Sequence, residues 1–121
     1  MSTVLIIDDD RIFRRLVVDA LEKRGYHVLQ ATRGAEADAL LVSNKADLFV
    51  VDGLLPDTTG LQWLEKQRKT GMAAPALFVT SFWKNEPDFE LVTQRLGATQ
   101  LLRKPVRAER VADQVGFMLR A

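Results

Sequence analysis

The most constraining feature of this 121-residue sequence is a set of short, continuously apolar runs that each stop at a polar residue. Val4 to Ile7 stops at Asp8-Asp9-Asp10, Leu48 to Val51 at Asp52, and Ala76 to Val79 at Thr80-Ser81. A strand with one wet face alternates apolar and polar side chains, whereas a strand covered on both faces reads as an unbroken apolar run. Segments of helical period separate the runs. The chain therefore reads as α/β, with a parallel sheet clothed by helices on both sides.

The remaining elements follow from periodicity and punctuation. Ile12, Phe13, Leu16, Val17, Ala20 and Leu21 recur at helical spacing up to Gly25, which has the position of a C′ glycine. His27 to Ala31 reads as a second strand and Ala35 to Leu41 as a second helix. After Asp52, Pro56 and Gly60 mark a loop, and a third helix starts at Leu61 and closes near Gly71. A fourth helix is expected over Glu86 to Leu96, a fifth strand over Gln100 to Leu102, and a fifth helix over Arg107 to Leu119. Five β/α units without repeat or linker fill residues 1–121 as a single domain.

Composition removes several function classes. Seventeen basic and sixteen acidic residues are scattered along the chain, giving a net charge of +1 and no field to attract nucleic acid or anionic lipid. With no Cys there are no disulfides, thiolate metal sites or Cys nucleophiles, in keeping with a reducing cytoplasm. Met1-Ser2-Thr3 leads directly into the first apolar run without the flanks of an export signal, and no run approaches membrane-spanning length. His27, the single histidine, falls at a strand start away from the acids; Trp63 and Trp83 lack the basic stripe of a nucleic-acid stacking platform.

In open α/β sheets ligands bind beyond the carboxyl ends of the strands. There this chain places Asp8, Asp9 and Asp10, then Asp52, then Thr80 and Ser81, then Arg103 and Lys104. One acid can cap the first helix, but three in a row next to a fourth repel one another unless a cation joins them. A hard divalent ion such as Mg2+, which takes oxygen ligands and keeps several waters, suits that edge. Asp52 can then act as a carboxylate nucleophile for a phosphoryl group. Lys104 offers an ammonium and Thr80 a hydroxyl for the phosphoryl oxygens, and Lys104-Pro105 is an X-Pro bond able to be cis.

Four motifs in order, Ile6-Ile7-Asp8-Asp9-Asp10, Val50-Val51-Asp52 with Leu55-Pro56-Asp57 and Gly60, Phe78-Val79-Thr80-Ser81, and Leu102-Arg103-Lys104-Pro105, resemble the signatures of response-regulator receiver domains over essentially the whole chain. The resemblance implies a flavodoxin-like (βα)5 fold with strand order 2-1-3-4-5, and Mg2+-dependent phosphotransfer from a sensor histidine kinase or phosphotransfer protein to Asp52. It also implies that Asp8, Asp9, Asp52 and the Leu54 carbonyl form the metal site, with Asp9 a direct ligand. Thr80 becomes the switch hydroxyl and Lys104 the phosphate-pairing lysine. The resemblance further implies an output domain or downstream protein, and a possible homodimer, at the face of the fourth helix, fifth strand and fifth helix.

Several positions depart from that pattern. Leu101 stands where the family usually carries an aromatic switch residue, and Thr99-Gln100 replaces a common acidic pair. Gly53 follows the acceptor, and Leu54 and Phe82 put bulky apolar groups two residues after Asp52 and Thr80, an arrangement expected to slow loss of the phosphoryl group. The alternative is a phosphorylation-independent interaction module of the same fold. A phosphatase of the haloacid-dehalogenase type needs a second acid where Leu54 stands, and a flavin site needs a phosphate-cradling loop where Asp8-Asp9-Asp10 stands.

Overall fold

The computed structural model describes residues 1–81, 89–90 and 93–120. Five strands, β1 (Thr3–Ile7), β2 (His27–Ala31), β3 (Leu48–Val51), β4 (Ala76–Thr80) and β5 (Thr99–Arg103), form one sheet of order β2-β1-β3-β4-β5. Every pairing is parallel. Helices α1 (Arg11–Lys23), α2 (Gly34–Ser43) and α3 (Gly60–Lys69) and a C-terminal helix (Ala108–Arg120) are the helices described in full. The expected fourth helix over 86–96 falls largely outside the described residues, of which Phe89, Glu90 and Thr93 are helical. Strand and helix limits otherwise agree with the expectations to within one or two residues, and the expected strand order is the one observed.

The apolar runs become strands because both of their faces are covered. Val4, Ile6, Leu48, Val50, Leu77 and Val79 pack under α1 and the C-terminal helix, against Val17, Leu21, Val111 and Val115. Their neighbours Leu5, Ile7, Phe49, Val51, Ala76 and Phe78 face the opposite way, toward Ala37, Trp63 and Leu64. All but a few of these side chains are fully removed from water, and burial of that kind contributes about 1.5–3 kcal/mol for each large aliphatic residue. Trp63 is a packing residue, meeting Phe49 edge to face at 5.0 Å while its indole N–H donates to Asp38 at 3.0 Å.

Helix ends are set by the residues the sequence supplies. Asp10 caps α1, its carboxylate accepting from the Phe13 N–H at 3.1 Å, and Thr59 caps α3 by accepting from the Gln62 N–H at 3.1 Å. Gly25 and Gly71 follow the C-caps of α1 and α3 with φ of 89° and 91°, a region that costs glycine nothing. No described helix is long and apolar enough to cross a membrane.

Candidate functional site

The parallel ladder runs one residue past the strands and thereby fixes the backbone of the polar edge. The Asp8 N–H donates to the Ala31 carbonyl at 3.1 Å, Asp52 to Ile7 at 3.0 Å, and Lys104 to Thr80 at 3.2 Å. Three side chains far apart in sequence thus emerge from a rigid frame in adjacent positions. Arg14 closes the β1–α1 turn by donating to the Asp8 carbonyl at 2.7 Å.

The acids divide by role. Asp10 turns to its helix cap, while Asp8, Asp9 and Asp52 each bring a carboxylate oxygen to within 4.8 Å of the others. The Lys104 ammonium lies against this group, 2.9 Å from one Asp8 oxygen and 3.4 Å from one Asp52 oxygen. The other Asp8 oxygen accepts from the Asp10 N–H at 2.9 Å, and the other Asp52 oxygen from the Leu54 N–H at 3.3 Å. Asp9, Asp52, Leu54, Leu55, Pro56, Thr80 and Ser81 line an open cleft of about 460 Å³ above the sheet edge. Thr80 is buried at its floor, Ser81 is exposed at its rim, and Leu54 is 57% exposed beside Asp52. The Lys104-Pro105 bond is cis.

Desolvation is the largest single influence on both Asp8 and Lys104, but it prevails only at Asp8. Asp8 is 1% exposed, and burial raises its carboxyl above the ordinary value in spite of the Asp10 N–H and the Lys104 ammonium. Burial alone would pull Lys104 down, but its hydrogen bond to Asp8 and the charges of Asp8 and Asp52 outweigh that and raise it. Three converging carboxylates against one ammonium leave an excess of negative charge on oxygen donors. That donor set, open to water through the cleft, fits a hard divalent cation that retains part of its hydration.

A doubly wound parallel sheet with a carboxylate cluster and a lysine at its carboxyl edge defines an α/β domain whose polar side chains gather at the switch point. The family model of the response regulator receiver domain matches residues 4–116, and the chain belongs to that family. It is 28% identical over 119 residues to the phosphate regulon transcriptional regulatory protein PhoB of Pseudomonas aeruginosa, covering 98% of this chain and 52% of that protein. It is 31% identical over 117 residues to the alkaline phosphatase synthesis transcriptional regulatory protein PhoP of Bacillus subtilis, covering 97% of this chain and 48% of that protein. The chain thus spans about half the length of the curated relatives it matches.

Among solved structures, a two-component response regulator from Clostridium difficile superposes with a TM-score of 0.87 at 28% identity, covering 99% of this chain and 97% of that one. The chemotaxis response regulator CheY4 of Vibrio cholerae gives 0.84 at 27% identity, with 98% of both chains covered. The protein is a two-component receiver domain, a signalling domain of flavodoxin-like fold rather than an enzyme of the ordinary kind.

The structure brings together Asp8, Asp9, Asp52 and Lys104, lines the same cleft with Leu54 and Thr80, and assigns Asp10 to capping. Phe82 and Trp83 lie outside the described residues. Leu101 is half-buried against the core layer that holds Phe78 and Phe89. His27 is exposed on the edge strand β2, away from the cleft.

Three contributors escaped the sequence reading. Phe13 carries the Lys104 ammonium over its ring, 4.6 Å from the centroid, although its spacing marks it only as a helix-face apolar residue. Gly60, read as loop punctuation, is required because a Cβ there would stand 2.2 Å from the Asp52 carbonyl oxygen. Asp57 accepts from the Gly34 and Ala35 N–H groups at 2.9 and 3.0 Å and so caps α2 from the loop after Asp52. The Leu55-Pro56-Asp57 motif and Gly60 were the available signals for the last two; none pointed to Phe13.

Proposed function

We propose that Asp52 accepts a phosphoryl group from the phosphohistidine of a sensor histidine kinase or phosphotransfer protein in a Mg2+-dependent reaction. One Asp52 oxygen attacks phosphorus as the phosphorus–nitrogen bond breaks and its electron pair returns to the donor imidazole, leaving an acyl phosphate. The observation that carries the reading is the meeting of three carboxylates from β1 and β3 ends within 4.8 Å, with one lysine ammonium bridging Asp8 and Asp52.

Asp8, Asp9, Asp52 and the Leu54 carbonyl would hold the metal. A bound Mg2+ supplies charge neutralisation for the incoming phosphoryl oxygens and a fixed orientation for them. Lys104 pairs with one phosphoryl oxygen and Thr80 hydrogen-bonds another, the short hydroxyl converting the presence of phosphate into a shift of β4. The shift biases the surface made by the fourth helical segment, β5 and the C-terminal helix, which binds an output domain or downstream protein and can also pair two copies.

Residues 1–121 act as one receiver unit in the cytoplasm, contacting neither nucleic acid nor membrane directly and catalysing only transfer to, and hydrolysis from, Asp52. Leu54, exposed at the cleft, restricts the attacking water and makes the phosphoryl group long-lived. Intact-mass measurement after incubation with acetyl phosphate tests the reading. Wild type gains one phosphoryl group with Mg2+ and not with a chelator, and Asp52→Asn gains none; a wild type that gains nothing refutes it.

A further inference from the structure

Lys104 has one neighbour the carboxylates do not account for. Its ammonium lies 4.6 Å from the centroid of the Phe13 ring, so the cation is held between Asp8 and Asp52 on one side and an aromatic face on the other. Phe13 belongs to the first turn of α1, whose start is fixed by the Asp10 cap and by Arg14 on the Asp8 carbonyl. It is half-buried and lines the groove between α1 and the segment 106–109. The backbone that carries the ring is therefore tied to the frame that carries Asp8.

A lysine has a flexible four-carbon stem and loses much rotamer freedom when its tip is fixed. A ring face offers an apolar, electron-rich support that attracts the ammonium without using up its donors. All three N–H donors then stay available to oxygen: the carboxylates now, and a phosphoryl oxygen when Asp52 is esterified. We propose that Phe13 is a positioning residue, which fixes the Lys104 ammonium beside Asp52 ahead of the phosphoryl group. The proposal rests on the phosphoacceptor reading above; Phe13 itself touches no reacting atom.

Two measurements test it. In the metal-free wild type, the Lys104 side-chain Hε resonances are shifted upfield by the ring, and Phe13→Leu returns them to the ordinary lysine range. Identical resonances in the two proteins overturn the proposal. For the second, beryllofluoride serves as the phosphoryl mimic at saturating Mg2+. Phe13→Leu weakens its binding about 5-fold, the equivalent of a partly desolvated cation–ring contact.

Phenylalanine with one, two and three ring fluorines, introduced at position 13 alone, keeps the shape while draining charge from the ring face. It weakens beryllofluoride binding stepwise. A flat series overturns the proposal, because a purely structural ring is indifferent to fluorination. A wild type that binds no beryllofluoride refutes the phosphoacceptor reading instead, and the resonance comparison still decides whether Phe13 holds Lys104.

Discussion

The two faces of the sheet are built differently. Under α1 and the C-terminal helix the described core is almost wholly aliphatic, from Val4 and Ile6 to Val111 and Val115, and packing without direction holds it. Under α2 and α3 the core carries Phe49, Trp63, Phe78 and Phe89 in edge-to-face pairs. Asp38 pins that layer by accepting from Trp63, Gln67 and Lys66 at 3.0, 2.9 and 2.8 Å. The second face is also tied to the loop after Asp52, through the Asp57 cap on α2 and the approach of Gly60 to the Asp52 backbone. Apart from Phe13 at the edge of that layer, packing on the first face should therefore set stability alone, and changes on the second should reach the acceptor site as well.

The largest effect is expected at Gly60. An added Cβ meets the Asp52 carbonyl oxygen at 2.2 Å and the Val51 side chain at 3.0 Å, so backbone must move at the end of the central strand. Gly60→Ala should cost at least about 3 kcal/mol, the upper end for overpacking, and should abolish acetyl-phosphate labelling in whatever fraction folds. Urea unfolding together with intact mass checks both halves; wild-type behaviour in either breaks the link between α3 and the acceptor.

Leu21→Ala probes the other face. Leu21 is fully buried in the aliphatic layer, and truncation should cost about 2–5 kcal/mol. Beryllofluoride affinity of the folded protein should stay at the wild-type value. A large loss of affinity here would erase the distinction between the faces.

Asp38→Ala comes next, at about 1–3 kcal/mol, because it strands the buried Trp63 and Gln67 donors. Near-ultraviolet circular dichroism should report the loosened Trp63, and an unchanged spectrum would count against the pin.

Asp57→Ala should be the mildest, about 1 kcal/mol as for other lost N-caps. Desolvation is the largest single influence on Asp57 and opposes its ionisation, but the Gly34 and Ala35 N–H groups together outweigh it and hold the carboxyl below its ordinary value. A depressed carboxyl contributes stability that is fully present above its unfolded value and is lost as pH falls through the folded one. The difference between Asp57→Ala and wild type should therefore be constant at neutral pH and shrink below about pH 4. A difference that grows on acidification would contradict the cap.

Where the sequence was readable, a local signal and the tertiary result coincided. Val4 to Ile7, Leu48 to Val51 and Ala76 to Val79 are apolar because both faces are covered, and the residues that break the runs mark the strand ends where ligands gather. The residues alone left the sharing of labour among Asp8, Asp9 and Asp10 open, and only the resemblance set Asp8 and Asp9 apart from Asp10. That sharing depends on the extended backbone of Asp10, φ −75° and ψ 102°, which turns that carboxylate to the helix and leaves the other two at the cluster.

Asp57 was opaque for a related reason: Arg33 occupies the N-cap of α2 without a side-chain bond, and the cap arrives from a distant loop. The Phe13–Lys104 contact joins the first helix to the last loop, a pairing no periodicity encodes.

The most direct test of the account is a crystal structure with Mg2+ and beryllofluoride. Beryllium should be bonded to an Asp52 oxygen, Mg2+ held by Asp8, Asp9, Asp52 and the Leu54 carbonyl, and the fluorines met by Lys104 and Thr80. Fluoride bound elsewhere, or a metal that leaves Asp8 and Asp9 untouched, would contradict it.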